Sequence, residues 1–232
     1  MNLILLVFWI IAITSFTLLG SWYVKKYNKP DLLIGLYVTF ILVAQILASK
    51  IAVYDLGFKN FFGPSGVLVF PITYLLTDIV NERFGRKETQ KMILIAFISQ
   101  LAMVFFFWLG VKLPPASFWV MQGEWEQIFN FVPRITLASW VAFIITENFD
   151  AYVYSWFKKL THNRHLWMRN IFSSLPALLL DSVIFIPLAF LGSMPLWPLI
   201  VGQTAVKWLV GIINVPFMYM NKAIIGKNVV EK

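Results

Sequence analysis

The chain contains no cysteine, which excludes disulfide bonds and thiolate chemistry. Charged residues are also scarce: they make up 13% of the 232 residues, whereas soluble domains average about 25%. There are two histidines, His162 and His165, in a basic loop, and no motif of a zinc protease, a serine hydrolase or a nucleotide-binding loop. We therefore expect neither an ordinary soluble domain nor an enzyme, and no metal or cofactor.

Apolar and aromatic residues dominate instead, at 59% and 17% of the chain, and the mean hydropathy is +0.76. The net charge of +8 would suggest a nucleic-acid partner in a soluble protein, but here the basic residues are typical of cytoplasmic loops and we expect no nucleic acid. The apolar segment Leu3 to Leu19 lacks a basic leader and a cleavage site, which favours a membrane span over a signal peptide. The composition predicts an all-α polytopic membrane helix bundle in contact with lipid.

Seven stretches are long and apolar enough to be spans, since a span needs about 20 residues. They cover residues 2–23, 31–49, 66–83, 88–111, 134–156, 170–191 and 198–221. The intervening segment 50–65 is too short and mixed to cross, and we expect an outer loop or a partly re-entrant segment. The loop 112–133 carries Trp119 and Trp125, which favours an interfacial helix over a lid.

The basic residues set the orientation of this seven-span arrangement. With the N-terminus outside, 14 of the 19 Lys and Arg residues fall in inner segments, four fall in outer loops and Lys207 lies inside a span. Basic residues concentrate on the cytoplasmic side of membrane proteins. The sequence therefore predicts an inner-membrane protein with its N-terminus outside and its C-terminus in the cytoplasm.

Several carboxylates interrupt the apolar runs, and each costs roughly 2.5–3.5 kcal/mol at the centre of a span. In the third span Asp78 and Glu82 share a helix face with Tyr74, at spacings of four and eight residues. In the fifth span Glu147 and Asp150 lie one turn apart. Such groups indicate a cavity, a partner or a substrate; the alternative is pairing with basic residues of the inner loops.

The last two spans hold a further set of polar residues. Asp181 lies near the middle of the sixth span, and Gln203, Lys207 and Asn214 form a polar stripe along the seventh. Lys207 is a suitable counter-ion for Asp181 or Asp150. A purely structural ion pair remains the alternative, although it would leave the amides without partners. Gln45 adds a polar group in the second span.

One segment carries a resemblance to a known family: Phe70-Pro-Ile-Thr-Tyr-Leu-Leu-Thr-Asp-Ile-Val-Asn-Glu-Arg-Phe-Gly85. It resembles the hallmark of the queuosine precursor transporter family, which is also described as a vitamin-uptake transporter family. Further matching blocks begin at Glu147, Trp167, Asp181 and Lys207. The resemblance implies a single integral membrane domain over 1–232, with an extra N-terminal helix (1–24) before a six-helix core (30–222). It also suggests kinship in fold with the substrate-binding components of energy-coupling-factor transporters.

The resemblance further implies import of 7-cyano-7-deazaguanine or 7-aminomethyl-7-deazaguanine, purine-like compounds salvaged for tRNA modification. A carboxylate can accept hydrogen bonds from the ring N–H and the amine of such a compound. We expect Asp181 or Asp78 to take this edge, with donors and further contacts from the remaining candidates Lys207, Asn214, Gln203 and Gln45. Coupling or gating is expected of Glu147, Asp150 and Glu82.

Several alternatives stay open at this point. Uptake is driven either by a proton gradient or by separate energising subunits. The oligomeric state is also open, and an oligomer is compatible with the sequence. The substrate-capture component for another vitamin is the nearest rival reading. An intramembrane aspartyl enzyme and a purely structural membrane subunit are more distant ones.

Overall fold

A computed structural model describes residues 3–55, 57, 59–160 and 166–225. Seven of the helices in these residues have 15 residues or more, and they correspond one to one to the seven predicted spans. The helices are α1 (Leu3–Tyr27), α2 (Asp31–Leu47), α3 (Phe70–Phe84), α4 (Arg86–Lys112), the short α5 (Gln122–Phe129), α6 (Phe131–Leu160), α7 (Leu166–Phe190) and α8 (Leu196–Ile225). The prediction of a membrane helix bundle is confirmed.

Four helical stretches of the described residues are long and apolar enough to cross a membrane individually: 7–27, 86–112, 122–150 and 196–213. Residues 31–47 and 174–190 form shorter apolar helices. Many large apolar side chains on α1, α4 and α6 point outward, among them Phe8, Phe106 and Leu137. In a membrane these exposed side chains contact lipid, which explains how a chain with so few charges presents an apolar exterior.

A single residue, Gly85, connects α3 to α4. Its φ of 83° lies in the left-handed region, where a residue without a Cβ carries no steric penalty. The amide of Gly85 donates to the carbonyl of Asn81 at 3.0 Å and so satisfies one of the last carbonyls of α3. This tight connection makes α3 and α4 packed neighbours.

The segment between α2 and α3 forms an antiparallel hairpin of β1 (Ile51–Asp55) and β2 (Asn60–Pro64), followed by a 3-10 turn, Ser65–Leu68. An all-helical prediction does not include this hairpin. β2 packs along α8, where a Cβ at Gly202 would overlap the backbone carbonyl of Phe62. Strand backbone within a membrane bundle must be satisfied by the protein itself, and the strand pairing satisfies the backbone groups that face the partner strand.

Two further hydrogen bonds close the base of the hairpin. The amide of Ser65 donates to the carbonyl of Lys50 at 2.8 Å, and the buried hydroxyl of Tyr54 donates to the carbonyl of Pro64 at 3.0 Å. Burial raises the pKa of the Tyr54 phenol, so this group stays protonated and remains a donor. The hairpin is therefore a fixed part of the bundle beside α8.

Two apolar clusters hold the helices together. One cluster packs the four helices α1, α2, α3 and α4 together and includes Ile13, Leu33, Leu76 and Met92. A second cluster joins α6, α7 and the start of α8. The helices that line the cavity described below come partly from the first cluster and partly from the second. Apolar packing therefore holds the cavity walls on both sides.

The helix α5 lies in the loop before α6, at the end of α4. The rings of Phe107 and Phe129 are 4.5 Å apart, and the rings of Trp125 and Phe129 are 4.2 Å apart. Phe118 and Val120, just before α5, are almost fully exposed. Exposed aromatic residues of this kind are typical of the membrane interface, and the interfacial position of α5 stays a prediction.

Candidate functional site

A cavity lies between five helices near the middle of the bundle, with an empty volume of about 720 Å³ that includes its open part. Its walls combine aromatic rings with a few polar groups, the usual composition of a small-molecule site. The lining side chains are Tyr37, Ile41 and Gln45 on α2; Phe70, Thr73, Tyr74 and Thr77 on α3; Ile93, Ala96, Phe97 and Gln100 on α4; Ser139, Trp140, Phe143 and Glu147 on α6; and Asp181 on α7.

An ion pair between α7 and α8 forms one end of the cavity. The ammonium of Lys207 donates to Oδ2 of Asp181, and Nε2 of Gln203 donates to the same oxygen at 3.3 Å. The side chain of Lys207 is 5% exposed and that of Asp181 is 18% exposed, so the carboxylate reaches the cavity while the cation stays behind it. Pairing offsets the cost of burying both charges.

Lys207 also contacts the aromatic wall at this end. Its nitrogen lies 5.0 Å from the centre of the Phe70 ring, within cation–π range. A smaller adjoining cavity of about 290 Å³ is lined by Gln203 and Lys207 and shares Phe70, Ser139 and Asp181 with the main one. Pro64 and Gly66, at the base of the hairpin, close this side.

A buried amide cluster lies in the wall at the same level. Oε1 of Gln100 accepts a hydrogen bond from Nε2 of Gln45 at 2.9 Å and from the Trp140 indole at 3.2 Å. Nε2 of Gln100 donates in turn to the carbonyl of Ala96 at 3.3 Å. Gln45 is a predicted binding residue, but Gln100 and Trp140 are missed by the sequence reasoning. The available signal is a carboxamide inside the apolar run of α4.

Glu147 of α6 and Tyr74 of α3 also line the cavity. Both side chains are exposed, Tyr74 by 41%, although both line the cavity. The helices that carry them, α3 and α6, make no extensive contact with each other in the described part of the chain.

The cavity is elongated along α6. Ser139, Trp140, Phe143 and Glu147 follow the spacing of one helix face, and Ser139 lies at the level of Asp181, with which it lines both cavities. Eight residues of α-helix rise about 12 Å. Glu147 and the Asp181–Lys207 pair thus occupy opposite ends of one compartment.

The remaining predicted site residues lie away from these contacts or outside the description. Asp150 is half-buried one turn beyond Glu147, and Asp78 is exposed one turn beyond Tyr74; neither belongs to the cavity lining. Glu82 lies on α3 and Asn214 on α8, but their side chains are outside the described residues. Within the described part of the chain, no group of three or more His, Asp or Glu side chains is arranged to hold a metal ion.

Comparisons with known proteins point to membrane transport. The sequence model of a family described as "Putative vitamin uptake transporter" matches residues 64–221. A "Probable queuosine precursor transporter" of Bacillus subtilis (strain 168) is 31% identical over 223 residues, which cover 94% of this chain and 95% of that protein. The "Queuosine precursor transporter" of Escherichia coli (strain K12) is 25% identical over 163 residues, 68% of this chain and 67% of that protein. No solved structure matches the chain.

Proposed function

This chain belongs to the putative vitamin uptake transporter family, and we propose that it imports a queuosine precursor, either 7-cyano-7-deazaguanine or 7-aminomethyl-7-deazaguanine, for use in tRNA modification. The observation that carries the proposal is the 31% identity to a protein named as such a transporter, over almost the full length of both chains. The multi-pass helix bundle gives the setting that import requires.

The chemistry of the cavity supports a flat, polar, purine-like substrate. Phe70, Phe97, Trp140 and Phe143 supply aromatic surfaces on which a heteroaromatic ring stacks. The carboxylates and amides at its ends supply acceptors and donors for the polar edges of such a ring. A site of this composition suits a deazaguanine better than an aliphatic vitamin.

The contacts support the following binding roles. We assign Asp181, Lys207 and Gln203 to one end of the substrate and Gln45 to the polar wall beside it. Asp78 and Asn214 stay candidates on the sequence pattern alone. Two sets of contacts, at separated points of an elongated cavity, would fix the orientation of a planar ligand.

The energy source is proposed as a choice between two mechanisms. The carboxylates Glu147 and Asp150 on α6 and Glu82 on α3 are candidates for taking up a coupling proton or for gating. The alternative is that the chain captures substrate for separate energising subunits. Collapse of uptake by a protonophore in cells that retain ATP would favour the first mechanism, and a requirement for co-expressed ATPase subunits would favour the second.

The proposed orientation places the N-terminus outside the inner membrane and the C-terminus in the cytoplasm. The support is the distribution of basic residues, since Lys25, Lys26, Arg86 and Lys87 fall at the ends of helices that then face inward.

The experiment that tests the proposed function uses a host that neither makes nor imports queuosine precursors. Such cells expressing the chain and given 7-cyano-7-deazaguanine in the medium should acquire queuosine in their tRNA, measured by nucleoside mass spectrometry. Excess 7-aminomethyl-7-deazaguanine should compete, and an unrelated vitamin such as riboflavin should not. Unmodified tRNA, with the protein present in the membrane, would refute the proposal.

A further inference from the structure

Two carboxylates line the cavity, and their surroundings differ. Oδ2 of Asp181 already accepts hydrogen bonds from Lys207 and Gln203. Glu147 makes neither a hydrogen bond nor an ion pair with any residue in the described ranges, and its side chain lines the cavity. Glu147 is thus the carboxylate whose two oxygens are both available to a ligand.

The surroundings of Glu147 fit the edge of a planar ring. Phe143 lies one turn before it on the same face of α6, and Trp140 lies one turn before Phe143. The side chains of Tyr37 and Thr77 line the same end from α2 and α3. A flat ring lying along the aromatic face of α6 would place its edge against the carboxylate.

We propose that Glu147 binds the guanine-like edge of the substrate, accepting one hydrogen bond from the ring N–H and one from the exocyclic amine. This inference rests on the proposed function and assigns to Glu147 the contact expected from sequence for Asp181 or Asp78. A carboxylate with two open oxygens matches two parallel donors. Asp181 has only one oxygen free for these two donors, because its Oδ2 already accepts from Lys207 and Gln203.

The opposite end of the substrate then lies toward the Asp181–Lys207 pair, about 12 Å farther along α6. A substituent on the five-membered ring of a 7-deazaguanine points away from the amine edge. A nitrile that reaches the adjoining cavity, which Lys207 lines, would accept from Lys207, and an aminomethyl cation would pair with Asp181. One cavity thus accommodates both precursors with the same orientation of the ring.

The test is equilibrium binding to purified full-length protein, which reads out variants that no longer transport. Two unlabelled probes compete with labelled 7-cyano-7-deazaguanine: 7-deazaguanine, and 7-deazahypoxanthine, which is the same ring without the amine. Wild type should prefer 7-deazaguanine by at least about tenfold, the value of one hydrogen bond to a charged acceptor. Glu147→Gln should reduce this preference to near one.

Three controls separate the outcomes. Glu124→Gln, the same chemical change on exposed α5, should keep the wild-type preference. Asp181→Asn should weaken binding of the labelled 7-cyano-7-deazaguanine and leave the ratio of the two probes, which carry no substituent at that end, unchanged. A wild-type ratio in Glu147→Gln would overturn the role of Glu147 while leaving the proposed function intact. Absence of binding of any deazaguanine to wild type would instead overturn the proposed function and this inference with it.

Discussion

Lys207 of α8 donates a hydrogen bond to Asp181 of α7, and this pair joins the last two long helices at the wall of the cavity. Both side chains are largely buried, so neither charge is stable there without the other. The pair has two separable consequences: it holds the helices together, and it presents one carboxylate to the cavity.

Single and double substitutions should separate these consequences. Lys207→Met and Asp181→Asn each leave one buried group without its partner, and each should lower the free energy of unfolding by about 3 kcal/mol. The double variant restores neutrality and should recover most of this stability, measured by thermal unfolding in detergent. Substrate binding should be weaker than in wild type in all three variants. A double variant that transports at the wild-type rate would show that the pair is structural alone.

The contact of the hairpin with α8 predicts a strict size limit at Gly202. A methyl group there would overlap the carbonyl of Phe62, so Gly202→Ala should displace β2 or strain α8, at a cost of about 1–3 kcal/mol. Gly211→Ala on the same helix is the matched control, because its Cβ would make only an ordinary contact with Leu178 at 3.7 Å. The melting temperature should fall in the first variant and hold or rise in the second. Equal melting temperatures would contradict the described packing of the hairpin.

Substrate affinity should fall more when Gln100 loses its side-chain oxygen than when its side chain becomes charged. Gln100→Leu removes the acceptor for Gln45 and Trp140 and leaves two buried donors unsatisfied, at a cost of about 1–3 kcal/mol. Gln100→Glu keeps an acceptor for both and should retain more substrate affinity than the leucine variant. Gln90→Leu, at an exposed position of α4, is the control and should bind like wild type. Normal affinity in Gln100→Leu would exclude the amide cluster from the site.

The absence of cysteine allows a direct test of orientation, because any single cysteine introduced is the only one present. Lys59, at the exposed tip of the hairpin, and Lys87, at the start of α4, fall on opposite sides in the proposed topology. Lys59→Cys should react with a membrane-impermeant maleimide in intact cells, and Lys87→Cys only after permeabilisation. The reverse pattern would invert the orientation.

The helices were predictable from the sequence because span length and the placement of basic residues are local signals. All seven predicted spans correspond to helices with ends within a few residues. The β1–β2 hairpin was not predictable, since it depends on Gly202, far along the chain, making room beside α8. The division into an extra N-terminal helix and a six-helix core stays a prediction.

The candidate site was predictable in part. Charges in apolar runs identified Asp181 and Lys207, but the choice of Asp181 over Asp150 as partner of Lys207 required the relative placement of α7 and α8. Gln100 was missed because its partner Gln45 is 55 residues away. Asp78 shares a helix face with Tyr74 in sequence, yet the cavity lining on α3 ends at Thr77.

The most direct test of the account is uptake of radiolabelled 7-cyano-7-deazaguanine by a host that cannot make or import it. Cells expressing the wild-type chain should accumulate the label well above vector cells, and the Gly211→Ala variant should match wild type. Accumulation of the label by cells with the Asp181→Asn/Lys207→Met variant should fall to the level of vector cells, with as much variant as wild-type protein in the membrane. Label in wild-type cells no higher than in vector cells, with the protein in the membrane, would contradict the account.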